Sequence, residues 1–480
     1  MATLSETIDD YKLAREHCGY FPLADWALVS AAGEDTLAFL QTQTTNDVLS
    51  LNIGQGQNNA VTDRKGRLLA SFSLHRIGQD AVLLLVEKEQ RKNLIECLEQ
   101  YHFKEKMLFQ TEVPQDFLLA LQGPKSPVLM ESLFEDFLPP QRLNDVKEIM
   151  FQGEKGFILN KTLTGEEGYI LAFPDALKEQ ILLRLREVGE KWNLSEISGK
   201  TREILRVESG IPVYGRDMDQ KHILPETGLE HNSVSYSKGC FIGQEVIARI
   251  KTYGSPAFAL MGVVLENGAL PALNTEIRLE SRKIGVIKSS VFSPSLKKNI
   301  ALAYIQKDFR SPDQVLEVTL NDQPCQIKTA LLPFYQTQSR SERAAQLHRQ
   351  ALSIYKKEED LDKPISLLRE AITLDPKFAN GYEALGVFLS KQNKLDEAIS
   401  LMKRLAEIDP SEIMAHTNLS IYYMKQGRIE DAELEKGEAT ALQFEKMIEE
   451  SQAKKSNKAE AERKKQEQLN KLEMFKKVIE

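Results

Sequence analysis

The chain has 480 residues, enough for two or three domains, and an apolar share of 42% is ample for buried cores. Its 62 basic and 70 acidic residues leave a net charge of −8, with no basic stripe before the C-terminal third, so direct nucleic-acid binding is not expected. The longest aliphatic run, Ala81 to Val86, falls far short of the roughly 20 residues of a membrane helix. The opening residues begin with acids and lack a signal-peptide core, so a cytoplasmic protein without a membrane role is expected. Cys18, Cys97, Cys240 and Cys325 lie far apart, which argues against a disulfide framework and against a metal site of the CxxC type.

Residues from Trp26 to Ser50 read as a strand, a turn at Gly33 and a helix that Asp35 could cap and whose apolar face holds Phe39 and Leu40. The helix runs out into the polar string Gln43-Thr44-Thr45-Asn46-Asp47-Val48. A hairpin follows, turning at Lys65-Gly66, then a strand DAVLLLVE and a helix from Glu89 to Tyr101. Asp116 to Pro127 reads as a strand entering a helix that Pro127 starts. Strands at Lys147 to Phe151 and Gly156 to Thr162 precede Leu163-Thr164-Gly165-Glu166-Glu167-Gly168-Tyr169, which by residue type alone is a glycine-flanked turn bearing two acids. Arg202 and Arg206 share a predicted helix, on which Arg206 is expected to form an internal ion pair. Ser198-Gly199-Lys200-Thr201 imitates the end of a phosphate-binding loop, but Leu194 stands where that motif requires glycine.

The stretch from Lys238 to Ile250, KGCFIGQEVIARI, is the one around which the first 335 residues are best organised. Read as a helix it pairs Glu245 with Arg249 and places Ile242, Val246 and Ile250 on one face, with Cys240 in the first turn, where unpaired N–H groups favour a thiolate and Lys238 adds to the effect. A strand beginning at Val246 is the rival, and a small buried hydrophobe is the plainer role for a single cysteine. Six short strands between positions 255 and 335 then point to a small β-barrel.

Several of these strings resemble one family. K-G-C-F-I-G-Q-E, comprising Lys238, Gly239, Cys240, Phe241, Ile242, Gly243, Gln244 and Glu245, with Arg249 beyond, is similar to the signature of YgfZ-type proteins, folate-binding relatives of the glycine cleavage T protein, aminomethyltransferase. Residues 200 to 229, the Gln43–Val48 string, Ser289 to Pro294, Ile300 to Ala303 and the closing Pro333-Phe334-Tyr335 match the same family in order. The resemblance implies an α+β T-protein-like ring in three parts: a folate-binding region over 1–253 and a barrel over 254–335. It implies tetrahydrofolate or a one-carbon derivative as cofactor, and a role in assembling or repairing iron-sulfur clusters, including those of enzymes that modify tRNA. Lys238 and Cys240 would then be central, Glu166 would accept two N–H donors of the pterin, Arg202 would contact folate, and Asn46 and Asp47 would line its cavity. The chain departs from the transferase at Ala70, where that enzyme carries a proton-handling Asp, with Ser71 beside it. Aminomethyl or other one-carbon transfer is the alternative; a non-catalytic adaptor is a further one.

Leu374-Asp375-Pro376 recurs as Ile408-Asp409-Pro410, Leu385 as Leu419 and Ala398 as Ala432, an offset of about 34, the tetratricopeptide period. Three helix pairs over 343–442 are expected, the first degenerate at Pro364, forming an all-α solenoid that binds a client protein or packs on the preceding fold. From 443 to 480 a Lys-, Glu- and Gln-rich tail reads as a solvated helix or a disordered segment.

Overall fold

The computed structural model describes residues 4–134, 138–266, 270–320, 322–336, 340–355, 361–445 and 447. The charged tail thus lies, from 448 onward, outside the described residues. The chain divides into two compact units, Met1–Thr337 and Gln338–Glu480.

The first unit contains three β-structures. A six-stranded sheet runs in the order Ser195–Glu196, Gly19–Pro22, Phe117–Gln122, Gly168–Phe173, Glu154–Asn160, Val146–Phe151. Its two inner strands, FLLALQ and GYILAF, are buried at every position, as unbroken apolar strings are when both faces of a sheet are covered. A five-stranded sheet runs Gly56–Thr62, Leu68–Arg76, Ala81–Glu87, Trp26–Ala32, Leu108–Gln110. The third is a closed barrel of six strands, Phe258–Leu265, Glu276–Leu279, Arg282–Ser293, Lys298–Gln306, Val315–Leu320 and Gln323–Ala330, sealed by pairing of the first with the last. One apolar core serves all three: Leu118, Ala120 and Ile170 of the first sheet meet Leu28, Leu83 and Leu85 of the second and Leu260, Ile300 and Leu302 of the barrel.

Two local readings are corrected. Asp35 precedes the helix Thr36–Gln43 but makes no side-chain cap; its carboxylate accepts instead from the Lys106 N–H at 2.8 Å. The helix after the cysteine spans Gln244–Tyr253, so Cys240 lies four residues before its first turn, and the expected dipole effect on the thiol has no structural basis. Arg206 forms its ion pair with Glu203 at 2.7 Å on the same helix, and a second with buried Asp217, also at 2.7 Å.

A buried network joins the parts. Arg15, on the helix Leu4–Glu16, donates to Glu208 at 2.6 Å and to Glu166 at 2.9 Å, while its guanidinium lies 3.7 Å from the Tyr335 ring centroid. Glu208, ending the helix Gly199–Glu208, also accepts from Tyr11 at 2.8 Å and from barrel residues Ser293 at 2.5 Å and Ser295 at 2.9 Å.

The second unit consists of helices Arg340–Tyr355, Asp362–Leu374, Ala379–Lys391, Leu395–Ile408 and Ile413–Lys425, then a helical run over 429–445. These form three successive helix pairs, consistent with a solenoid. The repeated positions are the contacts: Leu385 and Leu419, Ala398 and Ala432 all enter one apolar cluster. Pro364 sits in the first turn of its helix, where the missing N–H costs no bond.

Replacing Arg15 by Met leaves two carboxylates buried without their cation, which should cost about 3–5 kcal/mol. Urea denaturation of the full chain measures this, and a loss below about 1 kcal/mol would show that the network is not a structural keystone.

Candidate functional site

The signature segment is docked on the hairpin of strands Gly56–Thr62 and Leu68–Arg76. Phe241 is buried with Ala60, Leu68, Met218, Leu224 and Ile247. The Ile242 carbonyl accepts from the Thr62 hydroxyl at 2.6 Å. Gly243 has φ +86°, and a Cβ there would stand 2.4 Å from the Asp63 carbonyl oxygen and 2.8 Å from Thr62 Oγ1, so close approach and backbone conformation both require glycine.

Lys238 does not point at the cysteine. It is 8% exposed, and its ammonium donates to the carbonyls of Gln41 at 2.5 Å, Thr44 at 2.6 Å and Asn46 at 2.9 Å, where the helix Thr36–Gln43 runs out. A cation at the negative end of a helix, bonded to otherwise open carbonyls, is a clamp. Burial pulls its pKa down to about 8, opposed by nearby Asp47, so at neutral pH it remains mostly an ammonium.

Clamped at Lys238 and at Phe241–Gly243, the two residues between are left exposed: Gly239 and Cys240. Glu245 and Arg249 are also exposed, and Gln244 opens the helix with its N–H bonded to the Phe241 carbonyl at 3.2 Å.

Asn46 and Asp47 meet this segment through the clamp. The Asn46 side chain donates to the Asn58 carbonyl at 2.9 Å and accepts from the Asp47 N–H at 2.9 Å, and the Asp47 carboxylate accepts from Gln41 at 3.0 Å. These bonds tie the loop to the hairpin. Glu166 and Arg202 have other partners. Glu166 is 1% exposed and paired with Arg15, and Tyr335 hydrogen-bonds to it; Gly165, at φ +85°, lets this turn press against Ser209. The open pterin-facing fork expected of Glu166 is thus a buried ion pair. Arg202 lies 4.3 Å over the Phe21 ring and 3.5 Å from Asp25, beside a crevice of about 510 Å³ lined by Asp10, Phe21, Pro22, Ser198 and Arg202.

Strand alternation places Ala70 fully buried among Val29, Phe39, Phe72 and Leu84, so its position faces apolar packing. Ser71, on the opposite face, donates its backbone N–H to Gln90 Oε1 at 3.1 Å, and the Gln90 Nε2 donates in turn to Glu87 at 3.1 Å. Burial raises the Glu87 carboxyl to about 7.

A second polar group escaped sequence reasoning. Lys161 donates to Asn58 Oδ1 at 2.8 Å and Asn144 Oδ1 at 3.2 Å; the Asn144 carbonyl meets His75 at 2.7 Å, and His75 meets Ser73 at 3.0 Å. Burial lowers Lys161 to about 8 and, with the Lys161 charge beside it, lowers His75 to about 3, so the imidazole is neutral. The partners of Lys161 lie 103 and 17 residues away, and no local pattern announces them.

The comparisons with known proteins agree with this architecture. Residues 3–236 match the GCVT N-terminal domain and residues 259–336 the glycine cleavage T-protein C-terminal barrel domain. The chain therefore carries both domains of the aminomethyltransferase-like fold. Among similar proteins, an aminomethyltransferase of Bacillus cytotoxicus is 27% identical over 333 residues, covering 68% of this chain and 89% of the relative. One from Thermoanaerobacter pseudethanolicus is 25% identical over the same shares. The crystal structure of glycine cleavage system aminomethyltransferase T from Bartonella henselae superposes with a TM-score of 0.62 at 20% identity, covering 69% of this chain and 90% of that one, which is a likeness of fold. Among the described residues no helix is long and apolar enough to cross a membrane, and no group of three or more His, Cys, Asp or Glu is placed to hold a metal ion.

A Cβ at Gly243 has nowhere to go, so Gly243→Ala should destabilise the first unit by about 1–3 kcal/mol and loosen the loop. Hydrogen exchange at residues 238–243 reads it; unchanged protection would mean that the hairpin yields instead. Lys161 carries a buried charge whose folded pKa of about 8 lies below the ordinary 10.5. The unfolded chain therefore holds the extra proton between these values, and stability from this residue is gained as pH rises through about 8 to 10.5. Lys161→Met should remove that pH-dependent gain, as melting curves at pH 7 and pH 10 would report.

Proposed function

We propose that the first unit is a tetrahydrofolate-binding accessory factor for the assembly or repair of iron-sulfur clusters, supporting cluster enzymes such as those that modify tRNA. The second unit, read as tetratricopeptide repeats, recruits the client protein. The observation that carries this reading is the exposed Cys240, displayed on a loop clamped on both sides, in a fold whose family relatives act on folate. A thiol so presented is open to a soft metal or to a partner's thiol, as a buried cysteine is not. The sequence resemblance supplies the cluster assignment, and the GCVT-type domains support the choice of cofactor. Where the residues fit folate, they do so at Arg202, whose half-exposed guanidinium stacked on Phe21 beside an open crevice suits a planar or carboxylate-bearing ligand. Glu166 is held by Arg15 and enters this reading as a support for the cavity wall.

A second reading, one-carbon transfer to or from folate, is favoured by one feature. Glu87, poised near neutrality and linked through Gln90 to Ser71, is an acid beside the strand on which the transferase carries its Asp. Against it stands the loss of that Asp itself, with Ala70 in apolar packing.

Cys240→Ser should leave the melting temperature nearly unchanged while abolishing rescue of cluster-enzyme activity in cells lacking the protein. Full rescue would remove the thiol from the function. Tetrahydrofolate at 100 times Kd should stabilise the first unit by about 2.7 kcal/mol, an increment that Arg202→Ala should reduce. A melting curve indifferent to folate would defeat the cofactor assignment. Release of a one-carbon folate product in vitro, lost in Glu87→Gln, would place the transferase reading first. Removal of residues 343–480 should spare folate binding and abolish client association.

A further inference from the structure

Lys161 is a cation that the fold encloses without neutralising. It uses two of its three N–H groups on amide oxygens, Asn58 Oδ1 and Asn144 Oδ1, and burial lowers its basicity. Both amides come from elsewhere in the chain, Asn58 on the five-stranded sheet and Asn144 just before the outermost strand of the six-stranded one, so the ammonium is positioned from two sheets. The residue nonetheless keeps accessible surface, as do Asn58, Thr162 and Leu163, so the group is within reach of solvent and solutes. Asn46 joins it to the signature loop, since its amide donates to the Asn58 carbonyl and its own carbonyl accepts from Lys238. A half-buried ammonium held only by neutral amides costs stability that structure alone does not require: methionine would fill the same space without it.

We propose that Lys161 is the anchoring point for a carboxylate of the bound ligand, held by the ammonium with Asn58 and Asn144 fixing its direction. This rests on the folate reading and deepens it: the glutamyl carboxylates, rather than the pteridine ring, are the part that Lys161 recognises. The ligand anion supplies the counter-charge that the protein withholds, and the free N–H of the ammonium is its donor. The same chemistry fits an inorganic phosphate, and the test separates the two.

The charged and titratable groups around Lys161 leave it as the group to titrate in the working range. His75 is neutral, Asn58, Asn144 and Gln122 do not ionise, and burial raises the Asp145 carboxyl beside Asn144, opposed by the nearby charge of Arg142. Lys238 titrates in the same window but is tied to carbonyls and is present in both proteins compared. Binding an anion raises the basicity of the ammonium, so affinity must fall as pH passes the free value: between pH 7 and 9.5 by roughly tenfold.

The experiment is calorimetric titration of the full chain and its Lys161→Met variant with tetrahydrofolate, with a tetrahydropterin lacking the glutamyl group, and with inorganic phosphate, each at pH 7 and 9.5. The expected result is that wild type prefers tetrahydrofolate to the pterin and loses affinity for it at pH 9.5, while the variant binds both alike at both pH values. Wild type binding phosphate as tightly as tetrahydrofolate would overturn the assignment to a glutamyl carboxylate. Folate binding by wild type that is independent of pH, or equal to that of a folded variant, would overturn the proposal and leave the folate reading intact. No binding of tetrahydrofolate by wild type at either pH would overturn both. The wild-type pH comparison stands by itself should the variant fail to fold.

Discussion

The first unit depends on one buried guanidinium. Arg15 stands between Glu208 and Glu166, under the ring of Tyr335, and Glu208 reaches on to Ser293 and Ser295 of the barrel. An N-terminal helix, the 164–166 turn, the end of a second helix and a barrel strand are thereby fixed to each other through one cation. A buried pair gains little net stability over apolar packing, because both ions lose their water. Its strength is directional: two carboxylates and a planar cation fit in few ways, whereas the surrounding Leu, Ile and Val side chains would tolerate many. The common core supplies the free energy, and the ion network specifies the arrangement.

The same division of labour runs through the signature stretch. The resemblance makes Lys238 and Cys240 central, yet Lys238 holds carbonyls, Phe241 fills a core and Gly243 clears a backbone approach. These spend their specificity on holding Gly239 and Cys240 outward. A cysteine kept only for packing needs none of this apparatus, since the neighbouring core would accept it as it accepts Cys18, buried beside Leu121 and Leu129. The contrast between the two thiols is the physical ground for treating Cys240 as functional. Burial pushes the Cys18 thiol far up in pKa, making it inert, while Cys240 remains accessible.

Patterns that act over a few residues were legible. The six barrel strands were readable because short apolar-rich runs recur between turn residues, and the three helix pairs because Leu385, Leu419, Ala398 and Ala432 repeat at one offset and pack in one cluster. The helix start was misplaced because Gly243 can enter a helix from a left-handed conformation, leaving Cys240 outside it, and periodicity does not report that. Lys238 was assigned to its sequence neighbour, whereas its ammonium crosses to carbonyls almost 200 residues away in the chain. Glu166 took its ligand role from the resemblance, and its partner Arg15, 151 positions away, was not legible locally. Lys161 left no mark at all. A charged side chain looks solvated in sequence until the fold removes its water.

The partners of the enclosed cations differ in kind, and the difference bears on what Lys161 is for. The fold neutralises Arg15 and Arg206 with carboxylates at 2.6–2.9 Å, so it has the means to pair buried cations closely. It gives Lys161 and Lys238 neutral oxygens instead. For Lys238 three carbonyls at the end of a helix offer a partial negative charge, which goes far toward replacing a carboxylate. Lys161 has two amide oxygens and accessible surface beside them, so its field is left to act on whatever approaches it from solvent. Side-chain amides hold a lysine in place without cancelling its charge, which is what a site for an anionic ligand requires and a structural ion pair does not.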